Sequence, residues 1–129
     1  MRRCLNILQS SHAAHPTGIT DATIYSTTGT PHPHEIDEMI RAMLNDDFTS
    51  TYENLRKTTV ERGYALADIV SRVYETMNEL EFPPHVTVYL LEALAEIEYR
   101  LAAGCSDKLQ LGALVGAFKV ALELAAKAL

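Results

Sequence analysis

Residues 97–111 read IEYRLAAGCSDKLQL, and this stretch decides how the chain folds. Its first half has the apolar spacing of a helix, and Gly104 follows where a left-handed residue can end a helix without steric penalty. Ser106 or Asp107 can then accept hydrogen bonds from the free N–H groups at the start of the next helix. We therefore predict two long helices that meet at Gly104, so that the last third of the chain folds back on itself.

Helical spacing of apolar residues continues along the rest of the chain, and no long stretch alternates apolar and polar residues. We therefore predict an all-α fold, with Thr20 and either Asp46 or Asp47 as N-caps and Gly29 and Gly63 as C-terminal stops. The predicted helices cover residues 1–10, 20–29, 33–44, 47–63, 66–80, 84–103 and about 106 to the end, and 11–18 is predicted to be a loop.

The last predicted helix is apolar over most of its circumference. One apolar row consists of Leu111, Val115, Phe118, Leu122, Ala125 and Leu129, and a row of alanines at 113, 117, 121 and 125 runs beside it. A helix of this kind needs covering on more than one side, and a five-helix domain covers only one. We therefore predict that small residues of this helix face another protein, namely Ala113, Gly116, Ala117, Val120 and Ala121. An alanine-rich helix in the core of a monomer is the alternative.

Composition argues against several classes of function. The net charge is −6, and the 11 basic residues form no stripe that could follow a phosphate backbone, so we expect no direct binding of nucleic acid by this segment. Cys4 and Cys105 make neither a disulfide framework nor a metal motif, and we expect both as small buried residues in a reducing compartment. The uncharged runs are shorter than a membrane span, and the first residues lack the apolar core of a secretory leader.

The sequence contains no motif for catalysis or metal binding. Two pairs of histidines invite a metal site: His12 with His15, and His32 with His34. Neither pair has zinc-ligand spacing, and we predict solvated histidines in proline-bearing loops. Glu92 and Glu96, with Arg100 one turn further on, predict a salt-bridging surface and not paired catalytic acids. Without a glycine-rich phosphate loop, we expect this chain not to be an enzyme, with no catalytic and no metal-binding residues.

The stretch around Gly104 also resembles a known family. Residues 98–101, EYRL, followed by Gly104 and then residues 108–111, KLQL, resemble the C-terminal domain of replication factor C small subunits. These are clamp-loader proteins of the AAA+ class. Three further stretches agree in the same order along the chain: residues 1–9 are similar to the end of the sensor 2 motif, 24–29 to the close of the lid domain, and 81–84 to the start of the penultimate helix.

The resemblance implies two parts. Residues 1–29 would be the C-terminal remnant of the AAA+ lid, with the tail of the sensor 2 helix and one short helix, and residues 30–129 the five-helix collar, an oligomerisation domain. Pro31 and Pro33 hold the backbone extended at this boundary. Arg2 matches the sensor 2 arginine that reaches the ATP phosphates in the family, a role that suits a planar guanidinium. The glycine–aspartate pair that precedes this arginine in the family has no counterpart before Met1.

The resemblance also implies partners. These are the other replication factor C subunits, in a heteropentamer, together with the sliding clamp and primer-template DNA, which the whole complex contacts during DNA replication and repair in the nucleus. ATP and magnesium would be cofactors of the full-length family, with none in this segment, and no membrane is implied. A fragment of a longer subunit is thus the expectation. The alternative is a free-standing helical interaction module or the non-functional product of a truncated gene.

Overall fold

The computed structural model describes residues 1–127, which form α-helices joined by short connections and contain no strand. The helices are α1 (Arg2–Ala14), α2 (Asp21–Thr28), α3 (Pro33–Asn45), α4 (Phe48–Arg62), α5 (Leu66–Met77), α6 (Pro84–Ala102) and α7 (Asp107–Lys127). The prediction of an all-α fold is confirmed.

Helices α3 to α7 pack around one core, and α1 and α2 pack against each other ahead of it. α7 packs against α3, α4 and α6, while α5 packs against α3 and α6. The largest fully buried side chains come from all five helices of the bundle, and include Ile36, Thr51, Ile69, Leu90 and Phe118. A five-helix bundle preceded by two helices is the arrangement that the sequence predicts, whereas the boundary at residues 29 and 30 stays a prediction.

The connection between α6 and α7 is the predicted corner. Gly104 has a φ of 90°. Its N–H donates to the Leu101 carbonyl at 3.1 Å, and the Cys105 N–H donates to the Arg100 carbonyl at 3.0 Å. Both hydrogen bonds of a Schellman motif are therefore present, and they satisfy carbonyls that the end of α6 would leave free. The Ser106 carbonyl then accepts from the N–H of Gln110 at 3.0 Å, so α7 starts directly after the corner.

The other predicted caps are confirmed, and the choice between two aspartates is decided. The Thr20 hydroxyl accepts from the Thr23 N–H at 3.3 Å, and the Asp47 carboxylate accepts from the Ser50 N–H at 3.2 Å. Gly29 and Gly63 are left-handed at the ends of α2 and α4. These signals act over three or four residues, and this is why the sequence reveals them.

Two predicted boundaries are wrong. α1 continues through the predicted loop to Ala14, because no helix breaker occurs before Pro16, and the ring of Pro16 disfavours a helical conformation at the residue before it. Accordingly His15 leaves the helix with a φ of −132°. The second wrong boundary is the end of α5, which lies at Met77 and not at Leu80.

The predictions for four individual residues are also wrong. Cys4 and Cys105 are exposed, not buried. His12 lies in α1 and His34 in the first turn of α3, so neither is a loop residue.

α7 is the one helix within residues 1–127 that is long and apolar enough to cross a membrane by length and composition, although its uncharged runs are short. Core helices have the same composition, and in this bundle Leu111, Val115 and Phe118 are at most 4% exposed. The packing of α7 in the bundle therefore accounts for the apolar residues on its inner side.

Candidate assembly surface

The five residues that the sequence places at an interface lie on two sides of α7. Ala117 and Ala121 are turned into the bundle and are only 7% and 3% exposed. Ala113 and Gly116 are half-buried, and Val120 is 42% exposed. Ala117 and Ala121 are therefore not accessible to another protein in this fold, and for Ala113, Gly116 and Val120 an interface stays a prediction. The physical reason is that alanines every four residues drift around the helix, from its exposed side towards the core.

The two glycines of α7 lie beneath aromatic rings of α4. A Cβ added at Gly112 would lie 3.6 Å from Cε2 of Tyr52, and one added at Gly116 would lie 4.0 Å from Cε2 of Phe48. The two rings are nearly parallel, with centroids 6.0 Å apart, and the Tyr52 hydroxyl donates to the Lys108 carbonyl at 3.2 Å. Both distances are ordinary van der Waals contacts, so the rings of α4 cover the two glycines without requiring glycine at either position.

An exposed apolar strip follows the outer side of α7. Leu109 is 73% exposed and Val120 is 42% exposed, and Ala113 and Gly116 lie between them at helical spacing. Phe48 of α4, 45% exposed, extends this strip sideways at Gly116. We call these five residues the α7 surface. Exposed large apolar side chains, here Leu109, Val120 and Phe48, are typical of a surface that contacts another protein.

The position of α7 in the bundle is fixed by a cation at the end of α3. The Lys119 ammonium donates to the Met43 carbonyl at 2.7 Å and also to the Asp46 carbonyl. Carbonyls at a helix C-terminus carry partial negative charge, so a cation is favoured there. Lys119 therefore ties the middle of α7 to the end of α3.

A half-buried carboxylate joins the start of α3 to the end of α4. Glu35 accepts hydrogen bonds from the His32 N–H at 3.1 Å and from the Tyr64 hydroxyl, and its other oxygen lies 3.6 Å from the Arg62 guanidinium. Burial raises the pKa of Glu35, but these donors and Arg62 together outweigh it, so the pKa lies below its usual value. Burial and the hydrogen bond to Glu35 raise the pKa of Tyr64 to about 12. Sequence reasoning missed this network, although a glutamate two residues after a helix-starting proline is a capping-box signal.

Three rings contact one another between α2 and α3, each tilted by about 50° to the next. The Tyr25 and His32 centroids are 4.7 Å apart, and the His32 and His34 centroids 4.4 Å. The Nδ1 atoms of the two histidines are 2.7 Å apart, so one ring donates a hydrogen bond and the other accepts it. His32 lies in the connection before α3, as predicted, but it is half-buried and not fully solvated.

The remaining predicted positions lie away from these contacts. Arg2 is exposed in the first turn of α1, and its role towards nucleotide stays a prediction. Within residues 1–127 no three His, Cys, Asp or Glu side chains are placed to hold a metal ion together. Arg100 pairs with Glu96 one turn before it, which confirms the predicted salt-bridging surface of α6.

Comparison with known proteins finds one family. The replication factor C C-terminal domain matches residues 31–117. Replication factor C subunit 3 of Schizosaccharomyces pombe is 39% identical over 127 residues, which is 98% of this chain and 37% of that protein. Replication factor C subunit 5 of Mus musculus is 42% identical over 124 residues, or 96% of this chain and 36% of that protein. An archaeal relative, the replication factor C small subunit of Methanocella arvoryzae, is 36% identical over 120 residues, covering 93% of this chain and 37% of that protein.

The chain thus spans a little over a third of the length of these curated relatives. Among the small subunits, the sequence favours the one numbered three in fungi and five in mammals, and the numbers of the fission yeast and mouse relatives agree with this. The matched residues begin just before α3, include all of α3 to α6 and end inside α7. The family's domain therefore coincides with the bundle. This chain belongs to the replication factor C family and contains that family's C-terminal domain.

Proposed function

We propose that this chain is the collar part of a clamp-loader subunit and that its role is assembly. It joins other replication factor C subunits in a heteropentamer, and the complete complex loads the sliding clamp onto primer-template DNA in the nucleus. The observation that carries the proposal is the α7 surface, an exposed apolar strip on the central helix of a bundle that belongs to this family.

The α7 surface has the make-up of an interface. Leu109, Val120 and Phe48 are large apolar side chains that lose contact with water only if another protein covers them. Polar side chains flank the strip, among them the exposed Asp107, Lys108 and Glu123. An apolar centre within a polar rim is the usual anatomy of a protein–protein interface.

ATP turnover belongs, on this proposal, to parts of the full-length family outside this segment. The bundle interior is filled with apolar side chains, and the chain has a net charge of −6. Contact with DNA is therefore assigned to the whole complex and not to this bundle. ATP and magnesium are likewise assigned to the full-length proteins.

Co-expression with the other replication factor C subunits tests the proposal. Val120→Arg places a charge in the α7 surface and is expected to abolish co-purification, because a desolvated unpaired charge is costly at an interface. Val88→Arg is the matched control, since Val88 is 57% exposed on α6 and outside the α7 surface. It should co-purify as the unmodified chain does.

Two outcomes would contradict the proposal. One is undiminished co-purification of Val120→Arg, and the other is an equal loss for both variants. Circular dichroism of each purified variant must show the helicity of the unmodified chain, so that loss of association is not loss of folding.

A further inference from the structure

The negative charge of this protein is concentrated on two helices. Residues 66–102, which comprise α5, α6 and their connection, carry seven acidic and two basic residues, a net charge of −5. α4 and α7 each carry two acidic and three basic residues. The side of the bundle formed by α5 and α6 is therefore acidic. By contrast α4 and α7, the two helices that carry the α7 surface, are close to neutral.

A groove of about 520 Å³ runs between these two acidic helices. Val70 and Leu94 form its buried floor, Tyr74 and Ala95 are exposed along it, and Leu91 is half-buried. We call it the α5–α6 groove. It is concave and apolar at its base, and it does not involve α7, so a molecule bound here leaves the α7 surface free.

Two carboxylates line the same groove. Glu75 of α5 pairs with Arg72 at 2.8 Å, and Glu98 of α6 belongs to no ion pair among residues 1–127. The other arginine of this region, Arg100, is paired with Glu96. Glu98 therefore presents an uncompensated negative charge beside an apolar floor.

We propose that the α5–α6 groove docks a basic amphipathic helix of a partner protein. An amphipathic helix places apolar side chains at i, i+3, i+4 and i+7 in a groove of this kind and keeps its charged residues at the edges. Lysine or arginine at those edges meets Glu98 and the surrounding acidic residues. The groove side of α6, from Leu91 to Glu98, is two turns long, or roughly 10 Å, which suits two or three apolar anchors.

Charge also decides against other occupants. A second copy of this chain has a net charge of −6 and would be repelled by the acidic side of the bundle. Nucleic acid and anionic membranes are repelled for the same reason. A basic helix is the occupant whose charge and shape both match the groove.

The test uses a fluorescent peptide of 18 residues. In every two turns of its helix it has leucine at positions i, i+3, i+4 and i+7, and lysine at all other positions. Its anisotropy is measured against the full chain at low and high salt. The control peptide has the same leucines with glutamate in place of every lysine. We expect saturable binding of the basic peptide, weakened about tenfold or more by high salt and by the change to glutamate.

Variants on α6 locate the binding. Ala95→Arg, at an exposed position in the groove, and Glu98→Lys should each weaken binding of the basic peptide by about tenfold or more. Glu92→Lys makes the same charge change at an exposed position of the same helix outside the groove, and should weaken it far less. Equal weakening by Glu92→Lys and Glu98→Lys, or unchanged binding by Ala95→Arg, would overturn the proposal.

The result is independent of the assembly proposed for the α7 surface. Val120→Arg should bind the basic peptide as the unmodified chain does, because Val120 lies on α7 and outside the groove. If the basic peptide does not bind but the other subunits co-purify normally, the proposal for the α5–α6 groove is wrong and the assembly proposal is unaffected.

Discussion

Gly104 has a φ of 90°, and an added Cβ would meet no atom within 4 Å. A side chain at this position would thus encounter open space, and its cost would come from the backbone alone. The two hydrogen bonds of the Schellman motif hold this residue in the left-handed conformation, where residues other than glycine are strained.

Gly104→Val should therefore lower the free energy of unfolding by roughly 1–2 kcal/mol, because a β-branched residue tolerates positive φ poorly. Denaturation in urea measures the loss. Gly18→Val is the matched control, since Gly18 also borders open space but does not have a positive φ of this kind. An equal loss at both positions would show that the corner does not depend on the left-handed residue.

The lowered pKa of Glu35 predicts that the stability of the folded chain depends on pH. Its pKa in the folded chain is lowered, so the unfolded chain binds its proton more readily. The resulting stabilisation is fully present above the ordinary pKa of glutamate and is lost as the pH falls through the lowered value. Tyr64→Phe removes one donor to this carboxylate, so the pKa of Glu35 should rise and acid unfolding should begin at higher pH.

Acid titration followed by circular dichroism measures this shift, and NMR titration of the Glu35 carboxyl gives its pKa directly. Tyr74→Phe is the control, because Tyr74 is 47% exposed and takes no part in the network. If Tyr64→Phe unfolds at the same pH as the unmodified chain, the hydroxyl does not stabilise the ionised form of Glu35.

At the scale of a helix, α7 has two sides with different roles. Its inner side fills the core through Leu114, Val115 and Phe118, each 0% exposed. Its outer side carries the α7 surface, and Lys119 caps α3 between the two. The row of alanines crosses from one side to the other.

Arginine substitutions on α7 separate the two sides. Ala117→Arg buries an unpaired charge at a position that is 7% exposed, so it should cost several kcal/mol and abolish the cooperative helical signal. Val120→Arg lies at a position that is 42% exposed and should change the free energy of unfolding by no more than about 0.5 kcal/mol. Thermal unfolding followed by circular dichroism compares them.

Phe118→Ala calibrates the same experiment, since removing this fully buried ring should cost about 3–5 kcal/mol. If Ala117→Arg keeps full helicity and an unchanged midpoint of thermal unfolding, Ala117 is not a core residue and is available to a partner protein.

At the scale of the whole molecule, we expect the purified chain to bind no ATP. The sequence lacks a glycine-rich loop to hold phosphates, and Arg2 alone offers one exposed guanidinium at the start of α1. Isothermal calorimetry should show no saturable binding at micromolar concentrations. Saturable heat would contradict this expectation, and its disappearance in Arg2→Ala would assign the binding to the sensor 2 position.

Local signals in the sequence are enough to predict the helices, most of their ends and the corner at Gly104. Caps, left-handed glycines and the spacing of apolar residues all act within one or two turns, so their signals are complete in a short stretch. The end of α1 was missed because serine and histidine are neither strong helix formers nor breakers. Pro16 was the true signal for that end.

Which side of α7 is covered depends on how the five helices of the bundle pack. The burial of Ala117, the position of Phe48 over Gly116 and the hydrogen bond from Tyr64 to Glu35 all depend on residues far apart in the chain. A helix that is apolar on most sides gives no local indication of which neighbours cover each side. Those contacts are set when the helices pack, because only then is each side chain either removed from water or left exposed to it.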